Sequence, residues 1–82
     1  MIRSISTNRQ ERLQEFLRQV RIEANLRQID VATRLGVPQS FVSKYESGVR
    51  RLDLVELGLV CAAVGIALTE FVSRFERADH AA

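Results

Sequence analysis

Gln39, Ser40, Ser43 and Lys44 bring an amide, two hydroxyls and an ammonium to positions i, i+1, i+4 and i+5. On a helix that spacing gathers all four on one face and sends Val42 and Tyr45 to the other. The chemistry they offer is hydrogen bonding, because an amide both donates and accepts, a hydroxyl does either, and an ammonium only donates. Catalysis lacks its parts. The single histidine is His80, close to the end of the chain, and the single cysteine, Cys61, falls on an apolar stripe. No acidic pair accompanies a pocket-forming pattern, so an enzyme is not expected. A lone thiol provides neither a disulfide nor a thiolate cluster for metal, and no cofactor is called for.

A reading face of this kind needs neighbours that hold it outward, and the apolar periodicity supplies them. Leu13, Phe16, Leu17, Val20 and Ala24 recur at helical spacing, which predicts a first helix over about residues 9–24, with Thr7 or Asn8 as its N-cap. Asn25 tolerates the left-handed conformation and marks a stop. A second helix over about residues 27–35 turns Val31, Ala32 and Leu35 inward, leaves Ile29 off the stripe, and ends at Gly36. Pro38 suits the first turn of a third helix, which starts at Pro38 or Gln39 and ends after Glu46 at Gly48. About three residues and a glycine join these two, the spacing of a helix-turn-helix. Asp53 with Glu56 three residues later predicts a capping box opening a fourth helix that stops at Gly65. Thr69 and Glu70 open a last helix on which Leu68, Phe71, Val72 and Phe75 share a face. The expected architecture is all-α: one compact five-helix domain over residues 9–77, a flexible lead-in over 1–8 and a frayed tail over 78–82.

From Leu26 to Gly48 the chain closely resembles the Xre/Cro-type phage-repressor family. Gln28 opens the second helix, small Ala32 lies where the two helices cross, Gly36 makes the turn, Val42 is apolar, and Glu46-x-Gly48 closes the motif. With the flanking helices the resemblance covers about residues 13–75. It implies a lambda-repressor-like DNA-binding fold whose third helix enters the major groove. Gln39, Ser40, Ser43 and Lys44 would then face base edges: glutamine can pair with adenine N6 and N7, lysine can donate to guanine O6 and N7, and the serines serve either way. The plain alternative is a polar face in water. Gln28, Ser47, Arg50 and Arg51 would hold the DNA backbone, with Gln28 at a helix N-terminus suited to phosphate. Arg21 and Glu46 match a family pair bridging the first helix to the end of the third, a structural ion pair. Phe41 has two readings, packing beside the turn or touching a thymine methyl, and packing is favoured. Pro38 and Arg27 depart from the family's usual Ser or Thr at these helix starts.

Charge divides unevenly along the chain, at net +5 through Arg51 and −3 from Leu52 onward. The split fits a basic working half and a second half used for packing or association. On the fourth helix Leu54, Leu57, Val60, Cys61 and Val64 form a core-facing stripe, while Val55, Leu59, Ala62 and the following Ile66 cluster opposite. A helix apolar on both sides asks for a second partner. A twofold homodimer through Val55, Leu59, Ala62, Ile66, Leu68, Val72 and Phe75 answers this, with Gly58 allowing close approach; the last helix covering the stripe within one chain is the alternative. The function expected is a sequence-specific double-stranded DNA-binding transcriptional regulator, a repressor or autoregulator on an inverted-repeat operator. The alternative is a restriction-modification controller or an antitoxin-type module that also holds a partner protein. No export signal or membrane-spanning stretch is read, and the cytoplasm is the expected location.

Overall fold

A computed structural model describes residues 8–81, and among these it contains five helices and no strand. They are α1 (Asn8–Glu23), α2 (Gln28–Leu35), α3 (Gln39–Ser47), α4 (Leu54–Val64) and α5 (Leu68–Ala81). The lead-in assigned to residues 1–8 and the cap at Thr7 fall outside the described residues, apart from Asn8, which already belongs to α1.

Local chemistry sets the helix ends. Asn25 adopts φ 60° after α1, and its N–H donates to the Ile22 carbonyl at 2.9 Å. Gly36 turns the chain between α2 and α3 at φ 71°, a conformation that costs an L side chain about 1–2 kcal/mol. At α4 the Asp53 carboxylate accepts the Glu56 N–H at 2.7 Å, while Glu56 accepts the Asp53 N–H at 3.0 Å, so the capping box forms as its sequence spacing predicts. The start of α2 is only half such a box: Arg27 lends no side-chain cap, but Asp30 reaches back to its N–H at 2.7 Å.

Phe16, Leu17 and Val20 of α1 meet Val31 and Ala32 of α2, Val42 and Tyr45 of α3, Val60 and Cys61 of α4, and Phe71 of α5 in one buried core. Val31, Ala32 and Val42 have no exposed surface. Burying a valine side chain stabilises by about 1.5–3 kcal/mol, so Val31 and Val42 pin the crossing of α2 and α3 firmly. Phe16 packs on Phe71 and Phe75, with ring centroids 5.0 and 5.9 Å apart, which fixes α5 across α1.

Three expectations are corrected. Leu54, placed on the core stripe, is 70% exposed, because the first turn of α4 stands beyond a core whose buried members on that helix begin at Val60. Ala24 follows the end of α1 and is exposed rather than continuing its stripe. Residues 78–81, expected as part of a frayed tail, are helical as the end of α5, where Arg9 and Arg12 of α1 reach Asp79 at 3.1 and 2.7 Å and Arg9 also holds Glu76 at 2.6 Å.

Candidate nucleic-acid interface

The third helix is anchored on one side and open on the other. Val42 and Tyr45 are 0% and 3% exposed and lie in the core, while Gln39, Ser40, Ser43 and Lys44 are all exposed. Burial of the Tyr45 phenol raises its pKa well above the ordinary tyrosine value, so it is a neutral anchor. Pro38 precedes α3 at φ −65°, the value its ring imposes, and gives no side-chain cap. In place of a side-chain cap, the Pro38 carbonyl accepts the Phe41 N–H at 3.0 Å.

A hydrogen-bonded chain runs from the core to this face. The Arg21 guanidinium donates to both oxygens of Glu46 at 2.7 and 3.0 Å and to the Leu26 carbonyl at 2.8 Å. The same Glu46 accepts the Gln28 amide at 3.0 Å, which turns the Gln28 carbonyl oxygen toward the Gln39 amide 3.4 Å away. Hydrogen bonding to Glu46 raises the Arg21 pKa further. The ion pair expected between Arg21 and Glu46 is thus present, and it also orients Gln28. Gln28 is half-buried, with its amide committed to neighbours. Its amide nitrogen meets Glu46 and its oxygen meets Gln39.

Around this core of contacts the cations divide into engaged and available ones. Arg27 is tied to Asp30 at 2.9 Å, and its side-chain hydrogen bonds together with its backbone N–H bring the Asp30 carboxyl down to about 2. Arg34 donates to the Ala63 carbonyl at 2.8 Å, a cation placed at the negative C-terminal end of α4. Arg50 pairs with Glu56 at 2.6 Å and lies 4.6 Å from the Phe41 ring centroid. Lys44 and Arg51 are exposed and, among the described residues, have no ion-pair partner. Ser47 is exposed, with its hydroxyl on the Lys44 carbonyl at 3.3 Å. Phe41 is half-buried, edge-on to Tyr45 at 5.8 Å, in agreement with the packing reading. Sequence reasoning missed the pairing of Arg50 with Glu56, the Arg34 contact to α4 and the Gln28 link to Glu46, whose partners lie across loops and carry no local spacing signal.

On α4 and α5, Val55, Leu59 and Val72 are 73%, 58% and 42% exposed, and Ala62 of α4 is exposed as well. Ile66, Leu68 and Phe75, expected at the same surface, are half-buried and pack on the chain's own core. Gly58 faces Leu68, whose Cδ2 would lie 3.7 Å from a β-carbon there, an ordinary van der Waals separation, so the contact of α4 with α5 leaves room for a methyl group. The Cys61 thiol is buried, and burial pushes its pKa up to about 11, which leaves it an unreactive core group. Among the described residues no single helix is long and apolar enough to cross a membrane.

The family model for the helix-turn-helix matches residues 17–71, from the core of α1 to the buried Phe71 of α5. Among solved structures, an XRE-family like protein from Pseudomonas syringae pv. tomato str. DC3000 is 37% identical, with 93% of each chain covered and a TM-score of 0.85. The wild-type restriction-modification controller protein C.Esp1396I, at 17% identity, covers 87% of this chain and 91% of its own with a TM-score of 0.79, and a point mutant of that controller gives the same TM-score at 18% identity. These last two share the fold. No curated protein sequence matches the chain. A turn glycine between two tightly crossed helices, a third helix polar on its outer face, and a family match spanning both make the conclusion plain: the chain belongs to the XRE-type helix-turn-helix family of DNA-binding transcription regulators.

Proposed function

We propose that the chain represses transcription, its own or a neighbour's, by binding an inverted-repeat operator as a homodimer with α3 in the major groove. One observation carries the reading: Gln39, Ser40, Ser43 and Lys44 are exposed together on a helix whose opposite residues, Val42 and Tyr45, are locked in the core. Gln39 and Lys44 then read adenine and guanine edges, and the serines complete the face. Ser47 and Arg51, with the N-terminus of α2, hold the phosphates.

The exposed apolar row of Val55, Leu59 and Ala62 on α4, together with Val72 on α5, supports a twofold interface. Two reading helices about 34 Å apart then meet successive major grooves on one side of the duplex. Titration of a labelled operator duplex by fluorescence anisotropy separates the roles. Arg51→Ala weakens binding to all duplexes alike and lowers the salt dependence by about 0.9 per lost phosphate contact. Lys44→Ala changes discrimination at particular base pairs by about 1–3 kcal/mol. Uniform loss in both variants removes Lys44 from base reading.

A further inference from the structure

Arg50 follows the reading helix, where a cation would be expected to meet phosphate, yet its guanidinium, with the side chain still 38% exposed, is engaged by α3, α4 and its own loop. It lies over the Phe41 ring of α3 at 4.6 Å and reaches both carboxylate oxygens of Glu56, in the first turn of α4, at 3.1 and 2.6 Å. One of these nitrogens also donates to the Arg51 carbonyl at 3.0 Å, and the Arg50 backbone N–H donates to the Lys44 carbonyl at 3.1 Å. Glu56 is itself fixed by the Asp53 N–H. We propose that Arg50 is a positioning residue that clamps the loop bearing Arg51, just after the Ser47 end of α3, in register with the reading face of that helix, rather than a ligand for phosphate.

The inference rests on the reading that α3 meets DNA, and it reassigns one residue of that surface. A cation already matched by a bidentate carboxylate has little charge left to release counterions from a duplex. The loop between α3 and α4 has no helical hydrogen bonds of its own to order it, so a clamp formed before binding removes an ordering cost from the binding step. The clamp also depends on shape. A planar fork that stacks and chelates at once is available to arginine and not to lysine. The Glu56 carboxyl is brought down to about 2, first by its hydrogen bonds from Arg50, so the pair stays ionised at any ordinary pH.

The test compares wild type, Arg50→Lys, Glu56→Gln and Arg51→Gln by anisotropy titration on a duplex selected by the wild type, over a range of salt concentrations. Glutamine at 56 keeps an oxygen for the Asp53 N–H, so the start of α4 is preserved. The clamp predicts that Arg50→Lys and Glu56→Gln each weaken binding about tenfold while the salt slope stays at the wild-type value, whereas Arg51→Gln lowers that slope by about 0.9. A phosphate ligand restrained by Glu56 would give the reverse: Arg50→Lys binding as the wild type does, and Glu56→Gln binding more tightly with a steeper slope. Amide hydrogen exchange at Arg50 in the free protein provides a second readout, expected to quicken in both variants. Unchanged exchange in both overturns the clamp. A wild type that binds no duplex would overturn the reading of α3, while the exchange measurement still decides on the clamp itself.

Discussion

Replacing Glu46 by alanine should unfold this domain more readily than almost any other polar substitution. The side chains of Arg21 and Glu46 are only 10% and 4% exposed, and their two hydrogen bonds are 2.7 and 3.0 Å long. Alanine at 46 leaves the buried guanidinium with the Leu26 carbonyl alone and leaves the Gln28 amide without its acceptor. Removing one partner of a buried ion pair costs about 3–5 kcal/mol, because the remaining charge is still out of water. A chain of this size has a total stability of roughly 4–12 kcal/mol at ordinary values per residue. The loss is therefore a large share of the whole, and at about 4–8 °C per kcal/mol it lowers the thermal midpoint by at least about 12 °C. Urea unfolding followed by far-ultraviolet circular dichroism at neutral pH measures it directly. Arg21→Met should cost a similar amount, and the double variant Arg21→Met with Glu46→Leu should be less destabilised than the two single losses added together. A Glu46→Ala protein within about 1 kcal/mol of wild type would refute the reasoning, for it would mean that the pair is solvated in solution.

Asp30 and Glu56 are each held at about 2, by Arg27 and Arg50 respectively, below the ordinary carboxylate range. Depressed folded values stabilise fully above the unfolded pKa near 4 and lose that contribution as pH falls from there toward 2. The thermal midpoint should drop across that window and drop less in Asp30→Asn with Glu56→Gln; equal slopes in the two proteins contradict the assignment. Gly36→Ala meets no atom within 4 Å but must adopt φ 71°, so urea titration should show a loss of about 1–2 kcal/mol with no cavity or clash to explain it. Leu59→Arg places a charge on the exposed apolar row of α4 and should leave a folded monomer in sedimentation equilibrium with weakened operator binding; a dimer of unchanged stability moves the interface elsewhere.

What could be read in the residues was mostly local. Gly36, Gly48 and the Asp53-to-Glu56 spacing located helix ends because caps and left-handed turns depend on a handful of neighbouring atoms. The Arg21 and Glu46 pair was accessible only through family resemblance, since 25 residues separate the partners. Contacts formed when helices meet left no such trace. Arg50 and Glu56 lie six residues apart across a non-helical loop, where the i, i+4 rule has no force, so Arg50 read as a free cation. Asp79 is 67 residues from Arg12, and only the fold brings the two together, at the end of α5. Leu54 fits the helical stripe of α4 by angle, yet periodicity says nothing about where the opposing elements stop.

The account depends most on the outer face of α3 recognising base pairs. Selection of bound sequences from a random duplex pool by the purified protein at moderate salt tests this directly. The proposed dimer predicts enrichment of one inverted repeat with half-sites about one helical turn apart, and a shift at defined positions when Lys44→Ala is put through the same selection. A pool that emerges as random as it entered would contradict it.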